Sequence, residues 1–290
     1  MLVSIVIINY NTFALTCQCI QSVLDFTKGV PYEIILVDNA STECDPSLFK
    51  EKFPGIILVI NPHNSGFAKG NNLGISFAKG DLVLLLNSDT YLTEDAISKS
   101  AQAWKDHPGT GVLGCKMVYP DGGLQYSARR FRSLQWELLD LFRFLPYLLP
   151  YRQRARLMLG KYFKLDFTTT ADWVNGAFFL FPKEVLQRLP EGKLDERFFM
   201  YGEDQLWCEQ IKNLGYEILF FAGACIVHIH SGSTNVKKQI GLRKVMERNE
   251  LVIMEARKGK GLYYYCFAAI FSFKQALIYS GKWIKLKAKG

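Results

Sequence analysis

Residues 81–90 read Asp-Leu-Val-Leu-Leu-Leu-Asn-Ser-Asp-Thr. Leu82 to Leu86 form an unbroken apolar run, too short for an amphipathic helix and without a polar face. Such a run fits a strand covered on both sides, as in the middle of a parallel sheet. Asn87, Ser88 and Asp89 follow at once, at what would be the strand's carboxyl end. Open α/β sheets bind ligands at that edge, where Asp89 could coordinate a divalent cation or receive a hydroxyl. Read alone, these residues equally fit a strand end before a helix cap, because Thr93-Glu94-Asp95-Ala96 opens a helix-like segment.

The same grammar recurs on either side. Val3–Ile8 predicts a first strand, followed by Asn9-Tyr10-Asn11-Thr12, with Asn11 or Thr12 capping a helix to about Asp25. Glu33–Val37 predicts a second strand ending in Asp38-Asn39-Ala40-Ser41-Thr42, and Ile56–Ile60 a third ending in Asn61-Pro62-His63-Asn64. Ser65–Gly74 leads into a short helix that stops at Gly80. Strands and helices alternating at this spacing predict an α/β fold with a Rossmann-like, mostly parallel central sheet flanked by helices. Downstream, the pattern predicts a helix through Trp104, a strand over Val112–Val118 and a turn at Pro120–Gly123. A strand over Val174–Phe181 follows, with Pro182 as the first residue of a helix. After a loop over Leu194–Gly202, Glu203-Asp204 opens a helix to near Gly215, and Tyr216–Phe221 and Cys225–Ile229 make two short strands. His228-Ile229-His230 then begins a polar loop to Thr234, before a basic helix from about Lys237 to Lys258.

The chain has 290 residues, 49% of them apolar, which fits one large folded domain over residues 1–258 with a tail over 259–290. Within the domain, residues 129–164 read as an inserted, partly helical excursion in which basic residues alternate with large apolar ones. Its apolar face could meet an acceptor, a membrane or the core. The net charge of +8 is concentrated in the tail, where thirteen Lys/Arg stand against three Glu from Lys237 onward. A nucleic-acid partner is not expected, because such a protein spreads basic charge over its folded face. Seven cysteines without a Cys-x-x-Cys pair fit reduced thiols in a cytoplasmic setting. The apolar start lacks a basic leader and reads as a strand, not a signal peptide. In the tail, Lys274 interrupts the aromatic run Leu262–Tyr279, which disfavours a spanning helix. With Lys258, Lys260, Lys282, Lys285, Lys287 and Lys289 around it, the segment suits an interfacial helix at anionic lipids on the inner face of the cytoplasmic membrane. The alternative is a helix packed on the domain or in an oligomer.

Three strand ends thus bring polar groups to one edge: Asp38, the 63–72 loop and Asp89. Asp38 can accept a hydrogen bond from a base N–H, with Asn39 and Ser41 adding polar contacts. Gly66, Gly70 and Gly74 would let backbone approach a ligand closely, although the loop lacks the Lys-Ser/Thr ending of a phosphate loop. Asp89 could hold Mg²⁺ or Mn²⁺, hard ions that take carboxylate and phosphate oxygens.

Val3–Asn11, Val37–Thr42, Asn64–Asn72 and Leu86–Asp89 resemble family 2 glycosyltransferases of the GT-A fold, and their bacterial rhamnosyltransferase-like branch in particular. The likeness continues through Gly176–Leu180, Phe198–Asp204 and His228, over roughly residues 1 to 250. It implies a nucleoside-diphosphate-sugar donor on a uridine or thymidine carrier, a glycan or lipid-linked acceptor, and a role in cell-surface polysaccharide synthesis. It implies nucleotide binding by Asn9, Asn11, Asp38, Asn39, Ser41, Gly66, Lys69, Asn72, Asn87 and Ser88. Asn87-Ser88-Asp89 would take the place of the family's Asp-x-Asp metal motif, with Asp89 and His228 at the metal and His230 a rival to His228. Gly176 and Tyr201 would face the acceptor. Glu203-Asp204 would correspond to the acidic pair that supplies the general base of inverting members, with Asp204 the base and Glu203 second. A place in a helix's first turn would help keep that acid ionised. Leu206 departs from the family, which often has another acid there. Two other functions use similar parts. A sugar-phosphate nucleotidyltransferase would want a Gly-rich, basic segment after the first strand, where Asn9-Tyr10-Asn11 stands. A non-catalytic nucleotide-binding protein at the membrane would not need the acidic pair.

Overall fold

The computed structural model describes residues 1–229 and 236–287, with side chains described for 1–229 and 241–278. The polar loop carrying His230 lies outside the described residues. Strands β1 (Val3–Asn9), β2 (Tyr32–Asn39), β3 (Ile57–Asn61) and β4 (Leu82–Asn87) run parallel in the order β3-β2-β1-β4. Helices α1 (Phe13–Phe26), α2 (Ser47–Lys52) and α3 (Gly66–Ile75) form their crossovers. Next come β5 (Thr90–Leu92), α4 (Ala96–Asp106), β6 (Thr110–Val118), β7 (Leu124–Gln125) and β8 (Ala128–Arg129). The excursion holds α5 (Leu134–Leu141), α6 (Phe144–Tyr147) and α7 (Tyr151–Met158). The chain returns through β9 (Thr169–Ala171), β10 (Trp173–Val174), β11 (Phe178–Pro182), α8 (Glu184–Arg188), α9 (Glu203–Asn213) and β12 (Glu217–His228). Two long helices, α10 (Val236–Lys258) and α11 (Leu262–Lys287), end it.

The main sheet runs β3-β2-β1-β4-β11-β6-β12-β5, with β11 antiparallel to both its neighbours and β5 antiparallel to β12. β4 sits near the middle, and this explains its unbroken apolar run. Leu82, Leu84 and Leu86 enter the core beneath α1 and α4, while Val83 and Leu85 enter the core on the opposite face. All five are at most 2% exposed, and each such burial contributes roughly 1.5–3 kcal/mol. The chain leaves β1 with β2 on one side and β4 on the other. Strand order therefore reverses there, and a crevice opens beyond the carboxyl ends of these strands.

Several local expectations are corrected. Thr12 stands at the start of α1 but does not cap it: its hydroxyl donates to Asn9 Oδ1, and the Glu43 carboxylate accepts the Phe13 N–H instead. β5 was not expected at all; Thr90–Leu92 pairs with Ile226–His228 before the next helix begins. The predicted strand over Val174–Phe181 is split by the Asn175-Gly176-Ala177 turn, and Pro182 closes β11 rather than opening a helix. The two short strands predicted after Gly215 are one, β12, with an irregularity between Phe221 and Cys225.

No described helix is long and apolar enough to cross a membrane. The described part of α11 packs on α5 and α10, and Lys274 is turned inward. Its ammonium contacts the Glu137 carboxylate and lies 2.9 Å from Asp140 Oδ2, and it sits 4.8 Å from the Trp136 ring. Asp140 also contacts Lys161 and accepts the Tyr162 hydroxyl at 2.9 Å.

Candidate active site

The carboxyl ends of β1 and β2 are in register, Asn9 opposite Asp38. Asn9 Nδ2 donates to Asp38 Oδ1 (2.7 Å) and to Ser41 Oγ (2.9 Å), while Asp38 Oδ2 accepts the Ser41 N–H at 3.0 Å. Ala40, with φ of +63°, makes the sharp turn that lets Ser41 double back onto Asp38. Asn11 Oδ1 accepts the Thr42 N–H at 2.8 Å, and Thr12 and Thr16 donate to Asn9 Oδ1. Asn9, Asn11, Asp38 and Ser41 thus form one network, buried at Asn9 and Asp38 and open to solvent at Asn11. Asp38 is 1% exposed with both oxygens engaged, so it anchors the loop.

Asn39 continues the network to the next loop, accepting from Asn61 Nδ2 (2.8 Å) and donating to Asn64 Oδ1 (3.0 Å). The space a side chain would need at Gly66 is taken by the protein itself. The Gly66 φ is +83°, and a Cβ there would stand 2.5 Å from the carbonyl oxygen of Phe199, which also accepts the Phe67 N–H. The close approach is therefore to the 198–202 loop. Gly74 in turn lets α3 close on Val6 and Val37 of the sheet. Asn72 is also committed elsewhere: its amide bonds Leu194 O and Glu196 Oε1 and accepts the Leu194 N–H, fixing the loop before Phe198. Lys69 is exposed on α3.

At the end of β4, Asn87 Oδ1 is buried with no hydrogen-bond partner. The Ser88 hydroxyl meets Thr12 Oγ1 at 3.2 Å, tying this end to the Asp38 network. Asp89 Oδ1 lies 3.2 Å from His228 Nε2, and the Asp89 carbonyl accepts the Ile229 N–H. β5 and β12 bring this pair together by setting Thr90 opposite His228. Gln125 donates its amide N–H to the His228 carbonyl and turns Oε1 to His228 Nδ1 at 2.9 Å. That places the ring proton on Nδ1 and directs the Nε2 lone pair at Asp89. A proton or a cation shared between them would complete this pairing. A carboxylate beside an imidazole suits Mg²⁺ or Mn²⁺, which complete their shells with phosphate oxygens and water. Among the described residues no group of three His, Cys, Asp or Glu side chains could hold a metal ion.

The third element is the start of α9. Tyr201 (φ +70°) and Gly202 (φ +99°) both take left-handed backbone to turn the 198–202 loop into the helix. Asp204 Oδ2 accepts the Gly176 N–H at 3.1 Å and Oδ1 the Gln205 N–H at 2.8 Å. Gly176 packs against Phe67 and the Asp204 Cβ, and the neighbouring Ala177 carbonyl accepts the Asn87 N–H. The acid is thereby linked through one turn to the end of β4. The helix start and both N–H donors favour its charged form, but burial outweighs them and raises the Asp204 pKa. The first turn does help keep it ionised, as expected, but burial has the larger effect. Burial and the Asp204 charge also push Glu203 up, and Glu203 Oε2 has no hydrogen-bond partner.

Three contributors had no signal in the sequence. Gln125 orients His228; Asn249 of α10 donates to the Met200 and Tyr201 carbonyls; and Arg129 of β8 lies close enough to Asp204 to favour its charge. A basic residue in an otherwise basic stretch gives no hint of that neighbour.

The family model described as glycosyl transferase family 2 matches residues 4–171. An uncharacterized glycosyltransferase, YwdF of Bacillus subtilis, is 36% identical over 104 residues, or 35% of this chain and 38% of that protein. An N-acetylglucosaminyl-diphospho-decaprenol L-rhamnosyltransferase of Mycobacterium tuberculosis is 24% identical over 231 residues, covering 70% of this chain and 68% of the relative. The matched stretches take in 38% of the Bacillus protein and 14% of another bacterial relative, so the chain spans well under half of each. Among solved structures, the mannosyltransferase PcManGT from Pyrobaculum calidifontis, in complex with GDP-Man and Mn²⁺, superposes with a TM-score of 0.62 at 17% identity. That match covers 92% of this chain and 69% of the mannosyltransferase. The likeness establishes the GT-A fold.

Proposed function

Because the chain belongs to glycosyl transferase family 2, we propose that it moves a sugar, with inversion, from a UDP- or dTDP-sugar to a hydroxyl of a glycan or lipid-linked acceptor in cell-surface polysaccharide synthesis. The observation that carries this reading is the continuous line of contacts from Asp38 through Asn9, Thr12 and Ser88 to Asp89 and His228, joined at Asn87 to the turn that holds Asp204. Three acids distant in sequence share one edge. Asp38 and Ser41 would meet the base, and Asn11 the sugar or phosphate beside it. Asp89 and His228 would hold Mg²⁺ or Mn²⁺, which when bound offsets the charge gathering on the departing diphosphate. Asp204 would take the acceptor's proton as that oxygen attacks the anomeric carbon. The bond to the diphosphate breaks with its electron pair on the leaving oxygen, and the configuration inverts. The raised Asp204 pKa makes it a better proton acceptor at neutral pH than an ordinary aspartate. Gly176 and Tyr201, on either side of Asp204, would border the acceptor.

The lipid-diphosphate acceptor in the Mycobacterium relative's name favours a lipid-linked acceptor here. With α11, it supports a position on the inner face of the cytoplasmic membrane. Asp204→Asn should keep donor binding and lower transfer by roughly 10²–10⁴-fold; unchanged turnover would remove the assignment. Asp89→Ala should weaken nucleotide binding with Mn²⁺ but not without it, read by titration calorimetry. Release of pyrophosphate from a sugar phosphate and a nucleoside triphosphate would instead favour a nucleotidyltransferase, and binding without transfer a non-catalytic protein.

A further inference from the structure

The described part of α11 is an inside-out helix. Over Leu262–Ile278 its one charged residue is Lys274, and that residue is buried together with Phe267, Phe271 and Gln275 against α5 and α10. The opposite face, stepping by three or four residues, carries Leu262, Tyr265, Ala269, Phe273 and Leu277. All of these are exposed, Leu262 by 82% and Tyr265 by 60%. A helix solvated by water would turn these faces the other way.

The inserted segment repeats the inversion. Of the residues in 129–164, nine are Arg or Lys and two are acidic. Both acids, Glu137 and Asp140, are buried and spent on Lys274, Arg132 and Lys161. The outside of the segment is left with Arg143, Arg152, Arg156 and Lys164, all exposed. Between them stands an apolar tip in which Phe144, Tyr147 and Leu148 are 65%, 60% and 77% exposed. The same ion cluster that hides the two acids fastens α11 to α5, so tip and helix are parts of one body. The Tyr263 hydroxyl, accepting the Leu134 N–H at 3.0 Å, adds a second fastening.

We propose that the outer face of α11 and the 142–148 tip form a single docking surface for an anionic lipid bilayer. This deepens the membrane reading above and rests on it: attachment is not by the tail alone but by tail and insertion together. Aromatic and leucine side chains would enter the interface while the rim of arginines and lysines meets acidic headgroups. Charge selects this occupant over a second copy of the chain, since two such faces would set basic rims against one another. The platform also connects directly to the site. The insertion hangs from β8, whose partner β10 runs straight into the turn that holds Asp204, and α10 grips the Met200 and Tyr201 carbonyls.

The test is flotation of the full chain with vesicles of phosphatidylglycerol or of phosphatidylcholine, at low and high salt. Wild type should float with phosphatidylglycerol at low salt, and neither with phosphatidylcholine nor at high salt. Tyr265→Glu with Phe273→Glu, and separately Phe144→Glu with Leu148→Glu, should each reduce binding by roughly tenfold or more. All four positions are exposed, so melting temperature and Mn²⁺-dependent nucleotide binding should stay as in wild type. The milder Leu148→Ser and Leu262→Ser serve if a glutamate pair fails to fold. Absence of flotation with phosphatidylglycerol overturns the proposal, as does equal flotation with phosphatidylcholine. Loss on the α11 pair but not on the tip pair overturns the composite surface and leaves the tail alone. A wild-type dimer in light scattering that both pairs convert to monomer, without vesicle binding, assigns the face to self-association instead. Vesicle binding without sugar transfer would defeat the transferase mechanism and leave the surface standing.

Discussion

Lys274→Met isolates the interaction that docks α11. Methionine retains most of the stem's packing on Trp136 and deletes the ammonium that touches Glu137 and stands 2.9 Å from Asp140. Glu137 is fully buried and would keep Arg132; Asp140 would keep Lys161 and the Tyr162 hydroxyl. Although burial opposes ionisation, bonds to Lys161 and Lys274 pull the Asp140 pKa down to about 2 from 3.8. That depression is worth roughly 2 kcal/mol, and with Lys161 left in place roughly half of it should go. Stranding part of the Glu137 charge adds to this, and removing one member of a buried pair typically costs about 3–5 kcal/mol. Lys274→Met should therefore destabilise by about 3 kcal/mol in urea denaturation at neutral pH, followed by circular dichroism and tryptophan fluorescence. Because the folded Asp140 pKa is depressed, its contribution is complete above 3.8 and fades as pH falls toward about 2. The gap between wild type and variant should narrow over the same window. Adding Glu137→Gln and Asp140→Asn removes the stranded charges and should recover at least half of the loss. A cost below about 1 kcal/mol for the single variant, or no recovery in the triple, would refute the reasoning.

Other expectations concern the site itself. With Asp204 raised by burial, the acidic limb of kcat/KM should lie above the ordinary aspartate range and activity should rise with pH through it. Asp204→Asn should remove that limb from whatever activity is left, and an unmoved limb would exclude Asp204 as the titrating base. Glu203 is pushed up to about 8 from 4.5, so the stability it affects is intact below 4.5 and declines as pH rises through 8. Glu203→Gln should abolish that decline in melts taken across the range. Gly66→Ala forces a Cβ to within 2.5 Å of the Phe199 carbonyl at a positive φ, and should cost more than about 1 kcal/mol in thermal unfolding. Gln125→Ala frees the His228 tautomer and should weaken Mn²⁺ binding roughly 10–100-fold by calorimetry, with the fold intact.

What could be read in the sequence were features whose cause is local or periodic. β4 announces itself because both its faces are covered, so no polar residue is tolerated between Leu82 and Leu86. Asp38 and Asp89 were placed at one edge because both follow strands of the same direction, and β1 pairs with the strands that carry them. Features with a distant cause were misread or missed. Gly66 looks like a ligand cradle until Phe199, more than a hundred residues later, is seen to occupy the space its side chain would need. β5 is a three-residue strand whose partner is the end of β12, and nothing in Thr90–Leu92 foretells that pairing. Gln125 is an ordinary polar residue until β7 is set beside the end of β6, within reach of His228.

Lys274 shows the difference most sharply. In the sequence it interrupts an apolar run, and the reading is a charge that disfavours a spanning helix. In the fold it points inward, because Glu137 and Asp140, three residues apart on α5, present two carboxylates on one helix face. The lipid proposal then rests on a different feature. The lysine does not itself face outward. By occupying the inner face and neutralising the insertion's two acids, it turns the aromatics of α11 outward and leaves the neighbouring surface positive. A charge read as a break in an apolar run instead sets which face of the helix is left outside.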